Sequence, residues 1–371
     1  MSGAKHTFSS REKAHGSFLA PSFEIEVGSV KIDSAKVPVT SLSVDIDAGE
    51  PAGGCYFVIE SLYDYKTSSW KENVLTNFKI GSKLEIKGGY LKRETIFYGY
   101  VDDVTIDYSA EGAPRLAVGG IDAKGYLMNK KDEKSIEGKT TKDVVEKILK
   151  LCTSSNPKAA KKISLAASFP LKNGPIKSGV NYYNFLNKVA KMNNMQFFVC
   201  NGEIIFDNVV KKSDVLIKLS MGTSLLRFSR TASLHNQIGA VKITGTGDNN
   251  LAVTETATTP GSTSAKGSTA KKISPLIAGI TLEETNQYVK DAQECKAIAQ
   301  AILDASAINF VKGKGRCLGL PELIPGKWIT LDGMDKTSNN NYFVTKVSHE
   351  FSSESGYFTS FEAKSDKLPE V

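Results

Sequence analysis

The chain has 371 residues, of which 40% are hydrophobic and 23% are charged, and its formal net charge is +7. This length allows two or three domains, and the composition is typical of a globular protein. No apolar run approaches the roughly 18 residues of a membrane span, and the polar N-terminus lacks the apolar core of a secretory signal. We therefore expect a cytoplasmic protein with no membrane span.

Cysteine and lysine placement argues against metal and nucleic-acid sites. The five cysteines are far apart and form no CxxC pair, namely Cys55, Cys152, Cys200, Cys295 and Cys317. Such spacing predicts buried free thiols, with no zinc site and no disulfide framework. The lysines occur as scattered doublets without an RNA-binding aromatic motif, so we expect a solvated surface and no specific nucleic-acid partner. We expect no cofactor and no metal.

The N-terminal part of the chain divides into an arm and a β-rich segment. Residues 1–20 are polar and basic, which predicts a flexible arm. From 21 to 122 the stretches "FEIEV" and "SLSVDI" alternate apolar and polar residues, as half-buried strands do. We interpret 21–122 as a first β domain.

The segment 123–212 changes to a helical period and is predicted to be a small α/β domain. "TTKDVVEKILKLC" and "NYYNFLNKVAKMNN" each place apolar residues on one helical stripe, with Thr140 or Thr141 as the N-cap of the first. "MQFFVCNGEIIFDN" reads as a hairpin, because Asn201-Gly202 suits the two positive-φ positions of a type I′ turn.

A second β domain is predicted at 213–365, followed by a tail at 366–371. Two segments interrupt it. The stretch 246–272 is rich in Thr, Ser, Gly and Ala, so we expect a mobile linker there. The stretch 281–307 is predicted to be a helix that begins with a capping box formed by Thr281 and Glu284.

The two β segments share a pattern that indicates an internal repeat. "KIGSKLEIKGG" matches "IPGKWITLDGM" at an offset of 245, and "GYVDDVTIDYSAEG" matches "YFVTKVSHEFSSESG" at 243. The offset of 184 pairs Leu42, Val44, Phe57 and Ile59 with Leu226, Phe228, Val241 and Ile243. Alternation alone produces some matches, but the glycines that match between the two segments and the constant offsets favour a true repeat.

The neighbours His349 and Glu350 are the one pair that suggests catalysis. His349 aligns with Ile106 in the first copy and lies on a predicted strand. Adjacent strand residues point to opposite faces, so they do not form an acid–base pair. We expect His349 to be structural and predict no catalytic residue.

The order of these pieces resembles the phage late control D family, which includes baseplate hub proteins of contractile tails and the N-terminal hub region of VgrG spikes. The matching stretches are "SFEIEVG", "FKIGSKLEIKGGY", "YNFLNKVAKMNNMQFFVCNGEIIFDN" and "LIPGKWITLDGM", and they extend over about 20–365. The resemblance implies an α+β, mostly β fold with two related β-barrel-like domains flanking the α/β domain.

The resemblance also implies function and partners. It implies a structural hub, assembled as a homotrimer into a phage-tail-like particle or virion, which adapts a hexameric tail tube protein to a trimeric spike. No spike β-helix follows the second β segment, so the spike is expected to be a separate protein, with other baseplate proteins as further partners. Val101, Val104, Val344 and Val347 are expected inside the barrels.

Two other classes stay open. One is a peptidoglycan-acting enzyme, although HExxH and GxSxG are absent and "GLPELIPGKW" has the wrong spacing for a phosphate loop. The other is a cell-wall or carbohydrate-binding β module.

Overall fold

The computed structural model describes residues 4–130, 136, 138–171, 181–247, 251–286, 289 and 291–370. Strand residues outnumber helix residues, at 41% against 20%, so the fold is α+β and mostly β. The strands before residue 122 are β1 (Ser22–Val27), β2 (Val30–Lys31), β3 (Val39–Asp47), β4 (Gly54–Ile59), β5 (Tyr63–Asp64), β6 (Ser69–Trp70), β7 (Lys83–Gly89), β8 (Arg93–Asp107) and β9 (Arg115–Ile121). The helices in the same region are α1 (Phe8–Ala14) and α2 (Val74–Asn77).

The rest of the chain alternates helices and strands. The helices are α3 (Ala123–Asn129), α4 (Thr141–Ser154), α5 (Tyr182–Met192), α6 (Ala270–Ile273), α7 (Pro275–Ala278) and α8 (Ala292–Ala307). The strands are β10 (Lys162–Leu165), β11 (Gln196–Cys200), β12 (Glu203–Asp207), β13 (Val215–Ser220), β14 (Leu225–Ala232), β15 (Ala240–Thr246), β16 (Ala252–Ala257), β17 (Thr281–Thr285), β18 (Val311–Leu318), β19 (Trp328–Asp332), β20 (Asn340–Ser352) and β21 (Gly356–Ser365).

Thirteen of the described strands join one sheet that contains the same six-strand unit twice. The first unit has the order β1-β7-β8-β9-β4-β3, and the second has the order β13-β19-β20-β21-β18-β14. All corresponding neighbours are antiparallel, except that β13 pairs with β19 in parallel where β1 pairs with β7 antiparallel. The units are joined where β3 pairs with β20.

Shared bulges confirm the predicted repeat. In the first unit the β8–β9 ladder shifts register between Val101 and Asp103, and in the second the β20–β21 ladder shifts between Val344 and Lys346. Both positions are related by the predicted offset of 243. In a bulge, two residues of one strand lie opposite one residue of the neighbouring strand. The same bulge at the same position in both units is stronger evidence for a repeat than alternation is.

The predicted offset of 184 is wrong. The β3–β4 ladder has a bulge after Val39, and the β14–β18 ladder has the same bulge after Leu225, which gives an offset of 186. Leu42 therefore corresponds to Phe228, and β4 corresponds to β18 rather than to β15. A slip of two residues keeps every side chain on its face of a strand, so alternation could not detect this error.

The pairing among the described strands is an open path, so the expected closed barrels are not found. The core of the first unit also contains Trp328, Phe343, Phe351 and Tyr357 of the second unit. Val101, Val344 and Val347 are fully buried as expected, whereas Val104 is only half-buried. Val104 lies in the part of β8 beyond its partner β7, which leaves it less covered.

Between the two units, a three-stranded sheet with the order β10-β12-β11 packs with α3, α4 and α5. Thr140 and Asp143 form a capping box at the start of α4, which confirms the first of the two predicted caps. Asn201 and Gly202 have φ values of 53° and 82°, and they join β11 to β12 as the type I′ prediction requires.

The segment between β14 and β18 corrects two expectations. Part of 246–272 forms β16, which pairs with β15, because the β-branched side chains of Val253, Thr254 and Thr256 suit a strand. Residues 248–250 lie outside the described residues. The helix predicted from Thr281 begins instead at Ala292, capped by Asp291, and Thr281–Thr285 is β17.

The loop after β16 and the C-terminal tail are attached to the second unit. The amide of Lys266 donates to Asn340 Oδ1 at 2.9 Å, and the amides of Ser268 and Leu368 each donate to the other residue's carbonyl. These contacts contradict the expectation of a mobile linker here.

The N-terminal arm is also structured from residue 4 onward. The amides of Lys5 and His6 donate to the carbonyls of Val215 and Leu216, so this segment pairs with the edge of β13. His15 is 3% exposed, and its Nε2 lies 2.8 Å from Glu322 Oε1. The expectation of a flexible arm considered charge alone and overlooked this buried histidine.

Candidate functional site: two strand edges for assembly

The predicted pair His349 and Glu350 does not form a reactive site. His349 is 0% exposed and its Nδ1 lies 2.9 Å from the Tyr357 hydroxyl, whereas Glu350 is exposed on the other face of β20. Burial lowers the pKa of His349 to about 4. The imidazole is therefore neutral near pH 7 and packed inside the second unit.

Other residues that could carry chemistry are buried or dispersed. The five cysteines are buried free thiols, and burial raises the pKa of Cys152 and of Cys200 to about 12. Where the chain is described, no group of three or more His, Cys, Asp or Glu side chains could hold a metal ion. No described helix combines the length and apolarity needed to cross a membrane.

The seam between the two units shows what a paired unit edge looks like in this protein. Strand β3 pairs antiparallel with residues 346–352 of β20, with His349 opposite Val44 and Phe351 opposite Leu42. On the outer face Lys346 Nζ lies 3.3 Å from Asp45 Oδ1. The seam thus combines a backbone ladder, a buried inner face and an outer ion pair.

By the repeat, two other strands correspond to the two strands of this seam, and each of them has a free edge in the described chain. The strand that corresponds to β20 is β8, and the strand that corresponds to β3 is β14. In the described part of the chain, β18 is the one strand that pairs with β14, apart from an isolated bridge between Leu225 and Met221, and residues 102–107 of β8 have a strand partner only on the β9 side. Each free edge therefore corresponds to one strand of the seam, but without the second strand that would pair with it.

Side chains at equivalent positions of the seam and of the free edge of β8 differ in their burial. Ile106 is 37% exposed, whereas its counterpart His349 is 0% exposed. Tyr108 is 59% exposed, whereas its counterpart Phe351 is 5% exposed. Exposed apolar side chains on an unpaired strand edge favour pairing with another chain.

The charges at the two free edges are opposite. Asp103 and Asp107 project from the outer face of β8, and Arg227 projects from the outer face of β14. Arg227 lines an open trough of about 420 Å³ with three further cations, Lys314, Arg316 and Lys346. By the observed offsets, Arg227 stands where β3 has Ser41, and Asp103 stands where β20 has Lys346.

Sequence reasoning found the repeat but missed these edges. The alignment of Ile106 with His349 was available, but the difference in their burial depends on which strand covers each of them. Only the pairing in the folded chain shows this difference.

Known proteins resemble this chain in sequence or in fold. A family model described as the Alg8 N-terminal domain matches residues 22–353. The chain belongs to the Alg8 N-terminal domain family. A comparison with curated proteins finds no match for this family member.

Solved structures with the same fold as this Alg8 N-terminal domain protein include phage tail proteins. The 43 kDa tail protein of prophage MuSo2 from Shewanella oneidensis is 14% identical and has a TM-score of 0.68, with 94% of this chain and 100% of that chain covered. The tail protein from Neisseria meningitidis MC58 is 14% identical with a TM-score of 0.66, and the coverages are 94% and 97%.

A third match is the E. coli c3393 protein, described as a component of the type VI secretion system with structural similarity to the T4 bacteriophage tail proteins gp27 and gp5. It is 11% identical with a TM-score of 0.53, and 94% of this chain and 79% of that chain are covered. The chain thus shares its fold with these tail and type VI secretion proteins. The finer assignment to the late control D family stays a prediction.

Proposed function

We propose that this protein is a structural hub of a contractile tail or injection particle, in which identical chains join head to tail through the free edges of β8 and β14. The fold shared with phage tail and type VI secretion proteins supports the tail assignment. The observation that carries the proposal is the pair of unpaired edges, because they repeat the two halves of a seam already made within the chain.

The seam within the chain gives the register of the proposed seam between chains. Its Cα partners include Glu350 opposite Ser43, His349 opposite Val44 and Phe351 opposite Leu42. Transferred by the observed offsets, the same ladder places Asp107 opposite Ser229, Ile106 opposite Arg230 and Tyr108 opposite Phe228. Arg227 is then a diagonal neighbour of Asp107, within reach of a long side chain.

Existing strand pairs leave one free partner for β14. Strand β20 already pairs with β3 and β21, whereas the edge of β8 beyond β7 has no strand partner in the described chain. The acidic edge of β8 also attracts Arg227. Opposite-charge and like-charge pairs in neighbouring strands differ by roughly 0.2–1 kcal/mol each, so the two edges favour alternation of first and second units around a ring.

Three chains would supply six similar units around one axis, which suits a hexameric tube on one face and a trimeric spike on the other. Closed cyclic assembly also covers the free strand edges. The expected partners are a tail tube protein, a separate spike protein and other baseplate proteins. The role proposed here is structural and includes no catalysis.

An engineered cross-link tests the seam and its register. The variant with Asp107→Cys and Ser229→Cys carries both cysteines on exposed outer positions, and the native thiols are all buried. Oxidation should join chains covalently, and denaturing gels should show a closed trimer as the largest product. Electron micrographs viewed down the axis should show six similar densities.

The seam within the chain supplies the matched control. The variant with Glu350→Cys and Ser43→Cys has the same strand geometry but should close within one chain and leave a monomer band. If that control forms its disulfide while the first variant stays monomeric at all protein concentrations, head-to-tail pairing is excluded. A ring of six chains would exclude the trimer.

Catalysis is tested separately with purified peptidoglycan. The wild-type protein should not hydrolyse it. Hydrolysis that is lost in His349→Ala, with assembly preserved, would support the enzyme alternative.

A further inference from the structure

A cavity of about 510 Å³ lies where α5, α8, the loop 260–263 and the end of β21 meet. It is not lined by the residues of the strand edges discussed above, and its walls are largely apolar. Its apolar side chains include Ala190, Met195, Phe197, Ala301, Ile302 and Ile308. This volume is in the range of cavities that hold small organic molecules.

Most charged groups of this cavity already have partners. Asp304 accepts hydrogen bonds from the Gly261 amide at 2.7 Å, from Gln300 Nε2 at 2.7 Å and from Asn194 Nδ2 at 2.9 Å. At the rim Glu50 and Lys191 form an ion pair with each other. These groups hold the cavity walls together and leave little capacity for a charged ligand.

Lys364 is the exception. It lies at the end of β21, is half-buried and lines the cavity, and its ammonium group has no ion pair or hydrogen bond within the described chain. Burial, followed by the charge of Lys312, lowers the pKa of Lys364. A half-buried ammonium without a partner is costly, and an anion beside it would relieve that cost.

The nearby acids do not fulfil this role. The charges of Asp47 and Glu362 act on Lys364, but neither forms an ion pair with it in the described chain. Asp366 is 2% exposed, and the Thr263 hydroxyl donates to its Oδ1 at 2.6 Å. Its Oδ2 is buried and lacks a hydrogen-bond partner among the described residues. Because Asp366 also lines the cavity, its negative charge should weaken the binding of an anion.

We propose that this cavity binds a small anion carried on an apolar body, with Lys364 holding the anionic group and the apolar walls of α5 and α8 holding the rest. The ligand class is a carboxylate or an equivalent single anion with a hydrocarbon or aromatic portion. This inference does not depend on the assembly proposed above.

The probe 8-anilinonaphthalene-1-sulfonate has this chemistry, with one sulfonate on an aromatic body. The full-length protein should bind one probe per chain with enhanced fluorescence. Lys364→Met keeps the length of the side chain but removes the ammonium, and it should weaken binding about tenfold, the effect of one charge-assisted hydrogen bond. Asp366→Asn should strengthen binding.

Lys346→Met is the matched control, because Lys346 lies on the same sheet face but is paired with Asp45. This variant should bind the probe like the wild type. Equal binding by the wild type and Lys364→Met, with both folded, would overturn the proposal.

Competition identifies the source of the anion. Displacement of the probe by decanoate indicates a lipid-like carboxylate, whereas displacement by acetyl-leucyl-phenylalanine alone indicates the C-terminal carboxylate of a polypeptide. Failure of both to displace the probe would contradict a site for carboxylates.

A second measurement does not depend on any variant. Acetylation of Lys364 by acetic anhydride, followed by mass spectrometry, should slow several-fold when decanoate is present at saturation, while acetylation of Lys346 should be unchanged. Equal rates for Lys364 with and without decanoate would also overturn the proposal.

Discussion

Ile106 and His349 occupy the same position in the two copies of the repeat, yet Ile106 is 37% exposed and His349 is fully buried. The difference follows from the strand beside each of them. His349 lies opposite Val44 in the seam within the chain, whereas the corresponding side of Ile106 has no strand partner in the described structure. The same position is thus part of a core in one copy and part of a free edge in the other.

The same substitution should therefore have different effects at the two positions. We predict that Ile106→Lys leaves the chain folded, because the new ammonium group reaches solvent, but abolishes the trimer, because it lies opposite Arg230 in the proposed seam. His349→Lys should unfold the chain, since a buried unpaired charge costs several kcal/mol. Circular dichroism melting measures the folding of each variant, and light scattering measures its oligomeric state. A trimeric Ile106→Lys protein would contradict the proposed seam.

The diagonal pair of Asp107 and Arg227 should contribute to the specificity of assembly. Asp107→Arg alone places two cations together at each seam and should shift the assembly toward monomers at low salt. Adding Arg227→Asp restores opposite charges with the signs exchanged and should restore the trimer. Each pair is worth roughly 0.2–1 kcal/mol, so sedimentation at low ionic strength is the appropriate measurement.

A double variant that assembles no better than Asp107→Arg alone would show that the transferred register is wrong. Glu283→Lys serves as a control for net charge, because it makes the same change of +2 as Asp107→Arg but lies in the separate sheet of β15, β16 and β17, where Glu283 is paired with Lys242. It should not change the oligomeric state.

Sequence patterns predicted the local features of this fold better than its long-range pairing. The capping box at Thr140 and the turn at Asn201-Gly202 are set by neighbouring residues, and both were predicted correctly. The correspondence of β4 was wrong, because β15 and β18 both alternate and only the ladder distinguishes them. The free edges of β8 and β14 could not be predicted from sequence, because the sequence does not show which strands lie next to each other in the folded chain.

The N-terminal segment should detach from the rest of the protein when the contacts of Glu322 with Arg11 and His15 are weakened. Arg11 Nη1 donates to Glu322 Oε1 at 2.9 Å, beside the contact from His15. Burial alone would raise the pKa of Glu322, but these contacts outweigh it and hold the pKa below its ordinary value. We predict that Glu322→Gln costs about 1–3 kcal/mol of local stability, the range for a charged hydrogen bond that is lost.

Hydrogen exchange at the amides of Lys5 and His6 measures this release, because both donate to β13. Exchange there should accelerate in Glu322→Gln and stay unchanged in Glu354→Gln, which alters an exposed carboxylate. Protection that persists in Glu322→Gln would mean that the aromatic contacts, such as that of Phe18 with Tyr90, hold the arm by themselves.

The last prediction concerns acid stability and uses the depressed pKa of His349. Its pKa is lowered from 6.5 to about 4 by burial, so the unfolded chain binds a proton at this residue at a higher pH than the folded chain does. The contribution to stability is fully present above pH 6.5 and is lost as pH falls from 6.5 to 4. The loss is up to about 3 kcal/mol, at roughly 1.4 kcal/mol per pKa unit.

His349→Gln removes this titration while keeping a side chain that can bond to Tyr357. Urea unfolding between pH 7.5 and 4 should show a steep loss of stability in the wild type and a flatter profile in the variant. Glu322 does not affect the comparison. Because its pKa is lowered, its own contribution to stability is lost below pH 4.5, and both proteins contain this residue. Parallel profiles across this range would mean that His349 takes up its proton in the folded state, and therefore that it is reached by water.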